Sequence, residues 1–260
     1  MEQIKSYKLL SQRVSAHLTR GVRCNVLVTQ AQFAPLAAAG RLYVQETSAA
    51  LLLLQDWESH YRLHFFLHDV GKALSLAGLS KPVVAEIPFR PRDTGLQEAA
   101  SYLETQGFRR LFTRCRLIRG AGEQALPAGA VRTAGPQDAQ RVQALLRESF
   151  SPLTGCLPDQ RELEEALDQG RFLLLEENGT LLGLLHYTLE GKSSEIRHLA
   201  LRREVRGRGL TRPLLTQYLA RTAEKKHLVW ARESYQAAQN AYEALGYAPD
   251  GWRSIVLCRD

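Results

Sequence analysis

The chain reads as an α/β fold, with mixed and mostly antiparallel central sheets flanked by helices, in two related domains. Three observations predict this. Strand-like and helix-like patterns alternate through residues 130–260, and Asn178-Gly179 separates two apolar runs as a hairpin signal. A strand, a glycine-bearing turn and the first turns of a helix follow one another over residues 199–215. The first half of the chain also repeats the second at an offset of about 130 residues.

In the C-terminal half the order begins with a short strand at 130–133. Helices follow at about 136–149, capped near Gly135-Pro136-Gln137-Asp138, and at about 158–169, after Pro158-Asp159. The hairpin strands span 171–176 and 180–189, and a third strand spans 194–201. Then come a helix at about 209–224, a strand at 227–231, a helix at about 234–245, Gly246-Tyr247, and a final strand at about 253–258.

The turn at 206–211 is the most specific feature. Leu210, Leu214, Leu215, Tyr218 and Leu219 recur at helical spacing, so a helix starts at the glycines. A helix N-terminus presents unpaired N–H groups and the positive end of its dipole, which suits a phosphate. Gly207 and Gly209 have no Cβ and let the backbone approach an anion, while Arg206, Arg208 and Arg212 add positive charge. Pro213 falls in the first turn, where its missing N–H costs little. The run lacks the Gly-Lys-Ser/Thr of a Walker A loop and the third glycine of a dinucleotide fingerprint.

On these residues, the segment 130–260 resembles a GNAT-superfamily acyl-CoA N-acyltransferase. The order of elements fits, as does the loop Val205-Arg206-Gly207-Arg208-Gly209. Ala238, Tyr242 and Gly246-Tyr247 are similar to the family's late helix, its tyrosine and the glycine–aromatic pair that closes it. Two positions depart from the pattern: Glu204 stands where the family often has Gln or Arg, and Tyr235 where it often has Asn.

The resemblance implies that the pyrophosphate of acetyl-CoA sits on the backbone amides of Arg206, Gly207, Arg208, Gly209, Leu210 and Thr211. It implies that the pantetheine pairs with the main chain near Leu199 and Leu201. The thioester would lie where this strand splays from the strand at 227–231, with Tyr242 as general acid to the departing thiol. Two residues compete as the base that deprotonates the amine, Glu195 and His198, and a third reading has no dedicated base. Strict alternation places Glu195, Arg197, Leu199 and Leu201 on one face and Ile196, His198 and Ala200 on the other. Only one of the two candidates then points at the acyl group, unless the strand bulges.

The expected activity is direct transfer of an acetyl group to a primary amine of a small molecule or peptide. Rival readings on the same fold are a longer acyl-CoA donor, an aminoacyl group from charged tRNA, or a non-catalytic CoA sensor. The expected acceptor rim is 150–158.

In the N-terminal half, Gly40-Arg41-Leu42-Tyr43-Val44 parallels Gly170-Arg171-Phe172-Leu173-Leu174, and Gly107-Phe108 parallels Gly246-Tyr247. Residues 1–119 thus resemble a degenerate second copy, joined to the catalytic domain 130–260 by a small-residue linker at 120–129. His68-Asp69-Val70-Gly71-Lys72 replaces the glycine–arginine loop with one glycine and no arginine, so a single CoA site is expected. At the start of the chain, Ile4, Leu9, Leu10 and Val14 are the expected inward positions of an amphipathic helix.

The formal net charge of +7 is lopsided: residues 1–122 hold 16 Lys+Arg against 9 Asp+Glu, and the remainder holds 18 of each. Arg110, Arg114 and Arg116 share one strand face with Phe112, as a platform for an acidic substrate or RNA or as a solvated outer face. With no long Lys/Arg run and no recognised nucleic-acid motif, the outer-face reading is favoured. No run of 18 apolar residues and no signal-peptide core occur, so a cytoplasmic protein without a membrane span is expected. Cys24, Cys115, Cys156 and Cys258 form no CxxC pair, and His64 and His68 lie on a strand pattern, so no metal is expected.

Overall fold

The computed structural model describes residues 1–74, 76, 78–122 and 131–260; residues 123–129 of the expected linker, and Ala130, lie outside the described residues. The chain divides into two compact units, Met1–Arg114 with Gly251–Asp260, and Cys115–Asp250.

The first unit runs β1 (Glu2–Gln3), α1 (Tyr7–His17), β2 (Arg23–Cys24), α2 (Gln30–Ala38), β3 (Leu42–Glu46), β4 (Ala50–Asp56), β5 (Tyr61–Leu67), β6 (Val83–Phe89), α3 (Thr94–Thr105) and the start of β7 (Arg109–Arg119). Its sheet order is β1-β3-β4-β5-β6. All neighbours are antiparallel except β5 and β6. Alternation along β4 sends Leu52 and Leu54 to a core with Ala99, Ala100 and Leu103 of α3. Leu51 and Leu53 pack on the opposite face with Leu10, Val14 and Phe33 of α1 and α2. Leu10 and Val14 are buried as expected, but Leu9 is exposed. Ile4 is buried ahead of the helix, with its N–H on the Leu42 carbonyl.

The second unit continues with the rest of β7, β8 (Val131–Thr133), a 3-10 turn at Pro136–Asp138, α4 (Ala139–Ser149), α5 (Gln160–Asp168), β9 (Phe172–Glu177) and β10 (Thr180–Glu190). It is completed by β11 (Ser193–Leu201), α6 (Thr211–Arg221), β12 (Lys226–Arg232), α7 (Gln236–Glu243) and the start of β13 (Ala248–Arg259). The order is β8-β9-β10-β11-β12-β7, and β11 and β12 are parallel. The β9–β10 turn is the expected one, with Asn178 at φ 50 and Gly179 at φ 77 between the paired Glu177 and Thr180. Asp159 and Glu162 cap α5 reciprocally. One core lies under α6 and α7, and a second under α4 and α5. This is the mixed α/β, mostly antiparallel architecture the sequence predicts.

Two strands differ from expectation. The final strand was expected to close the C-terminal half, yet Arg253 to Arg259 pair antiparallel with Val83–Phe89 of the first unit. Strand periodicity marks a strand but does not choose its partner. The strand β6 itself has no counterpart among the predicted elements. Its Pro88 argues against a central strand, and the structure accommodates it one residue from the strand's end.

The arginines of β7 are paired. Arg110 meets Glu104 at 2.9 Å, Arg114 meets Glu86 at 2.6 Å, and Arg116 meets Asp250 at 2.5 Å. Their charge is offset locally, as on an outer face rather than an open anion platform.

Candidate active site

The site is built around β11. Its parallel pairing with β12 runs from Ser193↔Lys226 to Ile196↔Val229, while β11 continues to Leu201 and β12 to Arg232. The two strands therefore part after Ile196. Against β10, His198 pairs with His186 and Ile196 with Tyr187, which leaves Arg197 as an extra residue. This is a β-bulge, and it reverses the alternation. Ile196, Leu199 and Leu201 join the core under α6 and α7, while Ala200 joins the core under α4 and α5. His198 meets Phe150 on that second side. The strict alternation expected from the sequence is thus corrected: counted from Ile196, Glu195 falls on the same face as His198.

The two candidate bases differ in what their polar atoms already do. Glu195 is partly exposed and, among the described residues, its carboxylate pairs only with its near neighbour Arg197, at 2.9 Å. Such a pair constrains a carboxylate weakly. His198 is 2% exposed, and its Nε2 lies 2.8 Å from the Gly155 carbonyl. A carbonyl only accepts, so Nε2 carries the proton and Nδ1 of the neutral ring accepts. The Nδ1 of His186 supplies that proton at 3.1 Å. His186 in turn stacks on Phe172, with centroids 4.2 Å apart and an 8° interplanar angle. Burial above all, then the cost of a second positive ring beside His198 and the charge of Arg197, holds His186 well below the ordinary histidine range. Both nitrogens of His198 are therefore engaged, whereas Glu195 is held only by a near-neighbour ion pair.

The loop that follows β11 takes the expected form. A short turn at Arg203–Val205 precedes Gly207 at φ 80 and Gly209 at φ 73, and α6 begins at Thr211. A Cβ at either glycine would meet nothing within 4 Å, so backbone conformation rather than crowding selects glycine here. Arg206, Gly207, Arg208 and Gly209 are exposed. Among the described residues the N–H groups of Gly207, Arg208, Gly209 and Leu210 find no backbone carbonyl. The Nε of Arg206 donates to the Leu201 carbonyl at 3.1 Å, tying the loop to the end of β11. Leu214, Leu215, Tyr218 and Leu219 are buried, as their spacing predicts. Glu204 is exposed beside the loop, and Tyr235 is 58% exposed under Arg232.

Tyr242, on α7, is buried in the same core as Ile196, Leu201 and Val229. Its ring lies 5.5 Å from that of Tyr247. Burial, with a smaller contribution from Tyr218, raises its phenol above the ordinary range, so it stays protonated at neutral pH. Among the described residues its hydroxyl makes no hydrogen bond. Sequence reasoning missed His186 and Ser194. The latter accepts from the Tyr218 hydroxyl at 2.8 Å and so joins α6 to β11. The hairpin register would have aligned His186 with His198, had the bulge been foreseen. Among the described residues no three His, Cys, Asp or Glu side chains gather as metal ligands, and no helix is long and apolar enough to cross a membrane.

Comparison with known proteins agrees with this geometry. The model of the acetyltransferase (GNAT) family matches residues 139–247. The fold is similar to an acetyltransferase from the GNAT family of Colwellia psychrerythraea, at 13% identity and a TM-score of 0.58, over 99% of this chain and 98% of that one. It is also similar to a GCN5-related N-acetyltransferase from Sphaerobacter thermophilus, at 18% identity and a TM-score of 0.57, over 81% and 76% of the two chains. A GCN5-related N-acetyltransferase from Kribbella flavida aligns at 14% identity and a TM-score of 0.55, over 90% and 96%. No curated protein matches. The segment 139–247 is thus a domain of the acetyltransferase (GNAT) family.

Proposed function

We propose that the unit Cys115–Asp250 transfers an acetyl group from acetyl-CoA to a primary amine of a small molecule or peptide. One observation carries this reading: β11 parts from β12 at Ile196 and Val229, between a loop of open amides and a buried, protonated tyrosine. The residues fit the coenzyme. The open amides of Gly207, Arg208, Gly209 and Leu210, flanked by those of Thr211 and of Arg206, which also reaches the Arg203 carbonyl at 3.4 Å, receive the pyrophosphate, and the main chain at Leu199 and Leu201 pairs with the pantetheine amides. Positioning on this frame supplies much of the rate.

The chemistry balances without a further reactant. Glu195 takes a proton from the acceptor ammonium, directly or through a water. The free amine attacks the thioester carbonyl, the C–S bond breaks, and Tyr242 gives its proton to the departing thiolate; the second proton shed by the amine nitrogen returns to Tyr242 through solvent, and Glu195 releases its proton to solvent. The segment 150–158, held on β11 through Gly155 and His198, forms the rim that the acceptor crosses. We read residues 1–119 as a degenerate second copy without a coenzyme site.

The test is thiol release from acetyl-CoA over a panel of primary amines. Glu195→Gln should lower kcat/KM about tenfold or more near neutral pH. Tight acetyl-CoA binding without thiol release for any amine would favour a sensor. No binding by the folded protein would move attention to other acyl donors.

A further inference from the structure

We infer that His186 and His198 form a latch that positions the acceptor rim, making His198 a positioning residue for the amine rather than its base. The inference rests on the acetyltransferase reading above. It starts from a continuous chain of contacts across two strands and a loop. Phe172 of β9 stacks on His186 of β10, and the Nδ1–H of His186 donates to His198 Nδ1 at 3.1 Å. The Nε2–H of His198 then donates to the Gly155 carbonyl at 2.8 Å. Phe150, which ends α4, meets the His198 ring edge-on at 4.9 Å and 70°. One imidazole therefore holds both the start and the middle of the rim.

The arrangement is directional. Each of the three ring nitrogens in this relay has a single role, fixed by the carbonyl at its end. The rim is tightly folded at the same point. A Cβ on Gly155 would lie 2.7 Å from the Ser151 carbonyl and 2.8 Å from Phe150 Cβ, and the next residue, Cys156, sits at φ 49. A segment folded this closely has few alternative ways to meet β11, so one hydrogen bond selects its position. The bulge at Arg197 is what turns His198 toward the rim while Leu199 and Leu201 keep to the other core. Coenzyme contacts would therefore come from the strand's open backbone edge, and rim contacts from the face that carries His198.

Two variants separate the nitrogens of His198. Gln reaches as far as Nε2 and retains a donor for Gly155, whereas Asn reaches only as far as Nδ1 and retains only an acceptor for His186. His198→Asn should raise the amine KM about fivefold or more while kcat and the acetyl-CoA KM change less than about twofold. It should also speed amide hydrogen exchange across 150–158. His198→Gln should restore both toward the wild type. Equal losses of kcat in the two variants, with KM unmoved, would overturn the latch in favour of direct catalysis. Unchanged exchange over 150–158 in His198→Asn would overturn it whatever the kinetics. A folded wild type without turnover on any amine would instead remove the acetyltransferase reading, and the positioning role with it.

Discussion

In the first unit β5 and β6 pair in parallel from Tyr61↔Val83 to Leu63↔Ala85 and then separate; in the second, β11 and β12 pair from Ser193↔Lys226 to Ile196↔Val229 and then separate. The two gaps are finished differently. In the first, the chain fills its own gap: Arg23 and Cys24 pair with Leu67 and Phe66 of β5. Asn25 donates to the carbonyls of Leu63 and Glu86, at 3.1 and 3.0 Å, and accepts from the Phe65 N–H at 2.8 Å. In the second, among the described residues, no strand pairs with β11 on the β12 side beyond Ile196. Buried backbone groups must find partners, so an edge left open is an edge available to the amides of a ligand.

The segments that follow the two strands differ in the same sense. After β11 come two left-handed glycines, three arginines and α6. After β5 come His68-Asp69-Val70-Gly71-Lys72, and Asp69 Oδ1 accepts from the Gly71 N–H at 2.7 Å. A carboxylate thus occupies an amide that a phosphate would need. Among the described residues no helix stands between β5 and β6. On the proposed reading, one sheet plan would yield a coenzyme site only where the splay, the free amides and the helix dipole occur together.

The most severe way to break the contrast is Gly207→Glu. A side chain at φ 80 is strained, and the carboxylate opposes the pyrophosphate, so acetyl-CoA affinity measured by calorimetry should fall about a hundredfold or more. Gly71→Ala, at the corresponding place in the first unit, should leave affinity within about twofold. Equal losses would mean that the first unit also holds coenzyme. Next in size is Tyr242→Phe. It should lower kcat about a hundredfold with acetyl-CoA affinity unchanged. A parallel loss of affinity would instead assign Tyr242 to packing in the core it shares with Leu201.

Much of this contrast was legible in the sequence, because local chemistry specifies it. Asn178-Gly179 dictates its turn, Pro136 and Asp159 mark helix starts, and the Gly207 and Gly209 pair marks a loop opening a helix. What the sequence did not disclose depends on partners distant along the chain. The bulge at Arg197 leaves no compositional trace, since Glu195, Arg197 and His198 read as plain alternation until the register with His186 and Tyr187 is known. The pairing of the last strand with Val83–Phe89 is likewise a choice between similar apolar strands. Nothing in the local sequence marks Asn25, and only its three bonds to β5 and β6 reveal it as a plug.

That plug gives the third test. Asn25→Ala removes a buried side chain that serves two carbonyls and one N–H, so the protein should lose about 2–4 kcal/mol against urea. Acetyl-CoA should still bind at one site per chain, because Asp69 still takes the Gly71 amide. A second site in this variant would show that the plug alone silences the first unit.

The smallest effect concerns the histidines of the two central strands. His198 of β11 has a partner for each nitrogen, but His64 of β5 faces Leu53 across the sheet. Its Nε2 lies 3.5 Å from Gln55 Oε1, and among the described residues its Nδ1 makes no hydrogen bond. Burial, with a smaller contribution from Arg62, pushes its pKa down to about 3. The unfolded chain takes up this proton below about pH 6.5, and the folded chain does not until near the lower value. Stability is therefore complete above the unfolded pKa. It is lost as pH falls toward 3, at up to about 1.4 kcal/mol per pH unit. His60, lowered to about 4, and His186 act in the same direction. His64→Leu should flatten the stability profile between about pH 6 and pH 4 without abolishing its slope, since those two histidines remain. It should cost little at neutral pH, where it replaces a poorly bonded ring with an apolar side chain opposite Leu53. A profile parallel to the wild type would mean that His64 titrates alike in the folded and unfolded chains, and is not held neutral by its burial.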